Sequence, residues 1–172
     1  MKNIFKFLFA LFLGVLCCAC VNTVAVHELN HKASQYLEEG NVNAAIARLE
    51  ASVDLDGSVY ESRYNLASAY MTNGQCENAL EHITAALELK KNEPVVYYTH
   101  GVASLCVADK ISEKQKEGIA LSDMEQNKVN ELIKNANASF DKYVSLAPGA
   151  EDAQAVIDLI KSNEARISGY NQ

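Results

Sequence analysis

A chain of 172 residues has room for one domain with a real core. Its net charge of −7, with no basic stripe along its length, argues against a phosphate backbone as ligand and so against nucleic acid. Two prolines, no tryptophan and an abundance of Ala, Leu, Glu and Asn favour helices over a β-sandwich or a disordered chain.

The first twenty residues read as an address label. Lys2 and Lys6 supply a positive region, and Phe7 to Leu16 form an apolar run of the length found in secretory signals. Such a run falls short of the roughly 20 residues that a membrane-spanning helix needs. Leu16-Cys17-Cys18-Ala19-Cys20 follows and resembles a bacterial lipobox, in which a small residue precedes a Cys that receives diacylglycerol before cleavage. Ala19 makes Cys20 the favoured acceptor. Cys17 stands where the box usually has Leu, which leaves Cys18 as a second candidate and an ordinary secretory signal as the alternative. The resemblance implies a leader over residues 1–19 that is removed, a lipid anchor and short tether over 20–25, and a mature domain over 26–172. It also implies an oxidising periplasm and attachment to a membrane through acyl chains. Val21 rather than Asp follows Cys20, and in enterobacterial lipoproteins that points to the outer membrane over the inner.

Beyond the leader, Gly40 and Gly74 stand 34 residues apart and open similar stretches, Gly-Asn-Val-Asn-Ala-Ala-Ile and Gly-Gln-Cys-Glu-Asn-Ala-Leu. A period of 34 is the length of a tetratricopeptide unit, two antiparallel helices that bury their apolar faces by stacking on neighbours. The chain resembles that family over nearly all of its mature length. In a unit starting at Tyr60, Leu66-Ala67, Tyr70, Ala79, Ile83 and Ala86 fall on the family's preferred positions. In one starting at Val26, Leu29, Ala33, Tyr36, Ala45 and Leu49 fit, with Ser52 at a small position. Gly57 and Lys91 stand where the family usually closes with Pro. Small residues matter because helix axes come within about 8–10 Å only where side chains are short.

A third unit opens at Pro94, a good first-turn residue, and continues through Tyr97, Gly101 and Leu105. Its second helix comes late, with Ala136, Phe140 and Pro148 at the matching positions after about 23 extra residues. Ser122-Asp-Met-Glu125 is a capping box and predicts a helix from Asp123 to Leu146. Along it Val129, Leu132, Ile133, Ala136, Phe140 and Tyr143 hold an apolar stripe. The insertion therefore reads as elongation of both helices with a turn near Gly118. Its tip, Asp109 to Lys116, is charged enough that a disordered loop is the alternative. After Pro148-Gly149, the segment Glu151 to Ile167 predicts a capping helix with Ala153, Val156, Ile157 and Ile160 on one face. The expected fold is an all-α, tetratricopeptide-like solenoid of about three helix pairs plus a C-terminal capping helix.

His27-Glu28-Leu29-Asn30-His31 matches the H-E-x-x-H zinc-peptidase pattern, whose two histidines share a helix face while the Glu activates water. Asn30 inside the pattern and Lys32 after it are poor matches, no third-ligand motif follows, and the first repeat already accounts for these residues. A solvated histidine pair is the default expectation. Cys76 and Cys106 fall at the same pole of adjacent units, so a disulfide is geometrically possible; two independent buried thiols are the alternative. His82 and His100 stand alone, and no phosphate loop or nucleophile elbow is present.

The family resemblance implies a concave ligand groove on the first helix of each pair. It falls on Asn30 and Ser34 in the first unit, on Tyr64, Ser68 and Met71 in the second, and on Tyr98, Val102 and Leu105 in the third. Asn65 is retained beside it, but the Lys and Arg with which chaperone-tail receptors clamp a terminal carboxylate are missing. A neutral groove with Tyr and Met suits an apolar or extended peptide. The alternative is that Val102 and Leu105 simply support the long hairpin. The expected function is that of an envelope-anchored adaptor or scaffold for a protein partner, helping to assemble a pilus, secretin or cell-wall complex, without cofactor, metal or catalysis. Competing readings are a zinc peptidase through His27, Glu28 and His31, and a spacer that oligomerises through Asp109 to Asn127.

Overall fold

A computed structural model describes the protein over residues 22–170. Among these residues there are seven helices and no strand. They are α1 (22–38), α2 (Val42–Leu55), α3 (Tyr60–Thr72), α4 (Cys76–Leu89), α5 (Pro94–Lys116), α6 (Asp123–Leu146) and α7 (Ala153–Tyr170). The lipobox and Cys20 lie outside the described residues. Two compact units divide the chain within α3, one ending at Leu66 and the other beginning at Ala67.

One turn geometry ends the first helix of every pair. Gly40, Gly74 and Gly118 take φ values of 74°, 70° and 77°. Each glycine N–H returns to the carbonyl three residues back, and the next N–H to the carbonyl five back: Gly40 to Leu37 and Asn41 to Tyr36, Gly74 to Met71 and Gln75 to Tyr70, Gly118 to Gln115 and Ile119 to Lys114. This pair of bonds is a Schellman motif, whose left-handed residue favours glycine because a Cβ would crowd the following carbonyl. The 34-residue spacing in the sequence is therefore a spacing of helix stops.

In the first unit, Val26 and Ala33 of α1, Ala45, Ile46 and Leu49 of α2, and Leu66 of α3 are buried. Their intervals of three, four and seven put them on one side of each helix. The helices also share a polar node. Asn30 Nδ2 donates to Val26 O at 2.9 Å and lies 2.8 Å from each of Ser52 Oγ and Ser62 Oγ, which are themselves 2.8 Å apart. Asn65 closes it by donating to Asn30 Oδ1 at 3.3 Å. Helix α1 already covers residues 22–25, where the sequence suggested a tether. No Pro or Gly stands there to stop it, and Val26 at its inner side is buried.

In the second unit, α5 and α6 have 23 and 24 residues, against 13 for α3 and 14 for α4. About ten additional residues at 1.5 Å each lengthen the hairpin by about 15 Å. Asp109 to Lys116 are the last turns of α5 and not a loop. The reason is that their inner side has something to bury: Ser112 is buried and Ile111 rests on the cluster of Val107, Leu121, Val129, Leu132 and Ile133. The turn is clamped on top. Ser122 and Glu125 form the complete capping box, and Lys114 reaches Glu125 across the loop at 2.5 Å. The Lys114 ammonium and the Ser122 donors hold the half-buried Glu125 carboxyl down to a pKa of about 2.

Lower in the same hairpin, Gly101 lets α5 approach the fully buried Phe140 of α6. A Cβ there would lie 2.5 Å from Phe140 Cε1. Helix α7 then closes the unit, with Ala153 buried and Val156 and Ile160 buried against Ala136 and Phe140. It starts two residues later than expected and continues past Ile167.

Candidate functional site

The eight residues expected to line a ligand groove fall in both units. In the first unit Asn30 is committed to the polar node, its amide and carbonyl both bonded within the protein. Ser34 is exposed, its hydroxyl donating to Asn30 O at 3.2 Å. Tyr64 is half-buried and stacked on Tyr60, ring centroids 6.0 Å apart. In the second unit Ser68 is half-buried. Tyr98 leans on Phe140 and Tyr143 at centroid distances of 5.9 and 5.3 Å, so its ring serves the core on one side and meets solvent on the other.

Met71, Val102 and Leu105 come together. With Leu159 of α7 they form the apolar floor of a cleft of about 510 Å³ in the second unit. Val102 and Leu105 also touch the core from behind, so groove lining and hairpin support are two sides of the same residues. Beside the floor lie Cys76 and Cys106, joined by a disulfide with a Cα–Cα distance of 5.7 Å. The bond ties the N-terminus of α4 to the middle of α5, and Cys76 is buried. Asp109, Lys110 and Glu113, from the elongated part of α5, make a charged rim. Lys110 pairs with Glu77 at 3.3 Å, and Asp109 with Arg166 of α7 at 2.6 Å.

Leu159 and the rim were not among the expected residues. The rim belongs to the insertion, to which the repeat pattern assigns no groove positions. Leu159 lies on a helix outside the repeat altogether.

The other sequence candidates separate. His27 and His31 are exposed on α1; Gln35 Nε2 lies 3.3 Å from His31 Nε2, and Glu28 pairs with Lys32 at 3.1 Å. Among the described residues, no group of three or more His, Cys, Asp or Glu is placed to hold a metal ion. His27 instead borders a hollow of about 460 Å³ in the first unit, beside Val24, Val26 and Val59. His82 stacks on Tyr70 at 5.6 Å. His100 is half-buried, with Nδ1 2.8 Å from Ser139 Oγ, and burial lowers its pKa below the ordinary value of 6.5.

Helix pairs stopped by left-handed glycines, with an apolar cleft on the first-helix side, define an all-α tetratricopeptide-like fold. The comparisons agree: residues 60–93, the α3–α4 pair, match the tetratricopeptide repeat family. An uncharacterized protein of Haemophilus influenzae is 29% identical over 126 residues, which is 68% of this chain and 69% of its own. The second tetratricopeptide domain of human RPAP3, solved with an HSP70 peptide, has a TM-score of 0.63 at 18% identity, covering 81% of this chain and 98% of that one. The Yersinia enterocolitica secretion chaperone SycD, solved with a peptide of the translocator YopD, has a TM-score of 0.57 at 13% identity, covering 85% and 94%. At such identities the likeness to the solved structures is one of fold.

Proposed function

We propose that this protein is an interaction adaptor of a bacterial cell envelope that holds a segment of a partner protein and catalyses no reaction. The observation that carries the reading is the cleft of the second unit, an apolar floor of Met71, Val102, Leu105 and Leu159 under a charged rim. Its volume suits one or two large side chains of a peptide, the concave and mostly apolar kind of site in which a few polar groups set orientation. Two structures of the same fold hold peptides, which supports a peptide or protein as ligand here.

Anchoring at the periplasmic face of the outer membrane rests on the sequence, through the Phe7 to Leu16 run and the Ala19-Cys20 pair. Among the described residues no helix is long and apolar enough to cross a membrane. In this reading the mature protein hangs from acylated Cys20 and serves the assembly of an envelope complex. Two measurements test it. A photo-crosslinking residue at Leu159, in cells, should yield one recurrent envelope protein; no adduct from folded protein would remove the cleft as the partner site. Labelled palmitate should enter the wild-type chain and not Cys20→Ser; label retained by the variant would move the anchor.

A further inference from the structure

The rim of the cleft is not electrically uniform. Its one cation, Lys110, is held by Glu77, and the nearby Arg166 is held by Asp109 while its other nitrogen donates to Ser112 Oγ at 3.1 Å. Glu113 lies one turn further along α5, exposed and without an ion-pair partner among the described residues. An arriving carboxylate would have to break one of these two pairs to find a cation at the rim itself. An arriving Lys or Arg meets an open carboxylate at no such cost, and its aliphatic stem can lie along the apolar floor with its charged head in water.

We propose that the cleft selects a peptide segment in which a bulky aliphatic or aromatic residue is followed by Lys or Arg. The apolar side chain lies against Leu105 and Leu159, and the cation meets Glu113. This names the ligand class of the cleft and rests on the adaptor reading. The selection is opposite in sign to that of a receptor for acidic chain ends.

The test uses the full chain in detergent and two fluorescent twelve-residue peptides. Both have a Gly-Ser frame, one with a central Leu-Phe-Lys-Lys and the other with Leu-Phe-Glu-Glu. Fluorescence polarisation at low salt should show the Lys peptide binding about three- to tenfold tighter, the range expected when an exposed contact changes from attraction to repulsion. Glu113→Lys should abolish or reverse that preference. Glu131→Lys changes net charge equally on a part of α6 that does not line the cleft, and should keep it. Leu159→Ala should weaken both peptides. Equal or tighter binding of the Glu peptide overturns the proposal, as do equal effects of Glu113→Lys and Glu131→Lys, or no binding of either peptide. If Leu159 still crosslinks to one partner in cells, the ligand class falls and the adaptor stands; if it does not, both fall.

Discussion

Asn30 shows how one polar residue can hold three helices. Its amide lies within hydrogen-bond reach of two buried serines, and its carbonyl takes a bond from Asn65, so α1, α2 and α3 meet at a shared polar point. Asn30→Ala removes these partners while Ser52 and Ser62 keep only each other. We expect a loss of about 1–3 kcal/mol in urea unfolding, the cost of leaving buried polar groups under-bonded. The unfolding free energy of Asn30→Ala should therefore recover in part when Ser52 and Ser62 are also changed to Ala. His100 supplies a second residue-scale expectation. Burial depresses its pKa in the folded state, so the unfolded chain binds the proton more readily. Its contribution is complete above about pH 6.5 and declines as pH falls below that value. His100→Gln, which can still reach Ser139, should flatten this decline in thermal unfolding measured from pH 7 to pH 5.

At the scale of elements, the close crossing of α5 and α6 depends on Gly101. An added methyl would sit 2.5 Å from the Phe140 ring, which is fully buried and has nowhere to withdraw. Gly101→Ala should destabilise by about 1–3 kcal/mol, the usual range for overpacking. Combination with Phe140→Leu should recover part of that loss in a double-mutant cycle. Elements were also where the sequence was most legible. The glycine spacing, the small residues Ala79 and Ala86, and the Ser122 capping box are local signals with local causes. The α6 boundaries read from them match the observed Asp123–Leu146. The polar node was not legible in this way. A helix position pattern places Asn30 and Ser52 on faces, but whether an amide turns outward to a ligand or inward to a hydroxyl depends on partners 22 and 32 residues away.

For the whole molecule, the same limit applies to the cleft. Met71, Val102 and Leu105 could be placed from the repeat, whereas Leu159 and the Asp109–Arg166 pair could not, because they join segments 57 residues apart with no shared period. The cysteines were intermediate: the repeat put them at one pole, while the 5.7 Å between their Cα atoms, which allows a disulfide, comes from how α4 packs on α5. A crosslink spanning 30 residues constrains the unfolded chain, and replacing both cysteines with Ser should lower the unfolding free energy by about 3 kcal/mol. Reductant should lower the melting temperature of the wild type and leave the double variant unmoved.

The same bond has a mechanical meaning. A chain stretched from its two ends gains roughly 3.3–3.6 Å for each residue released. The 30 residue steps from Cys76 to Cys106 lie inside a closed ring and can contribute almost nothing to that extension. Pulled between its termini in optical tweezers, the oxidised molecule should reach a contour length about 100 Å shorter than the reduced one. Under load, the stretch carrying α4 and the first half of α5 would travel as a knot that tension cannot straighten.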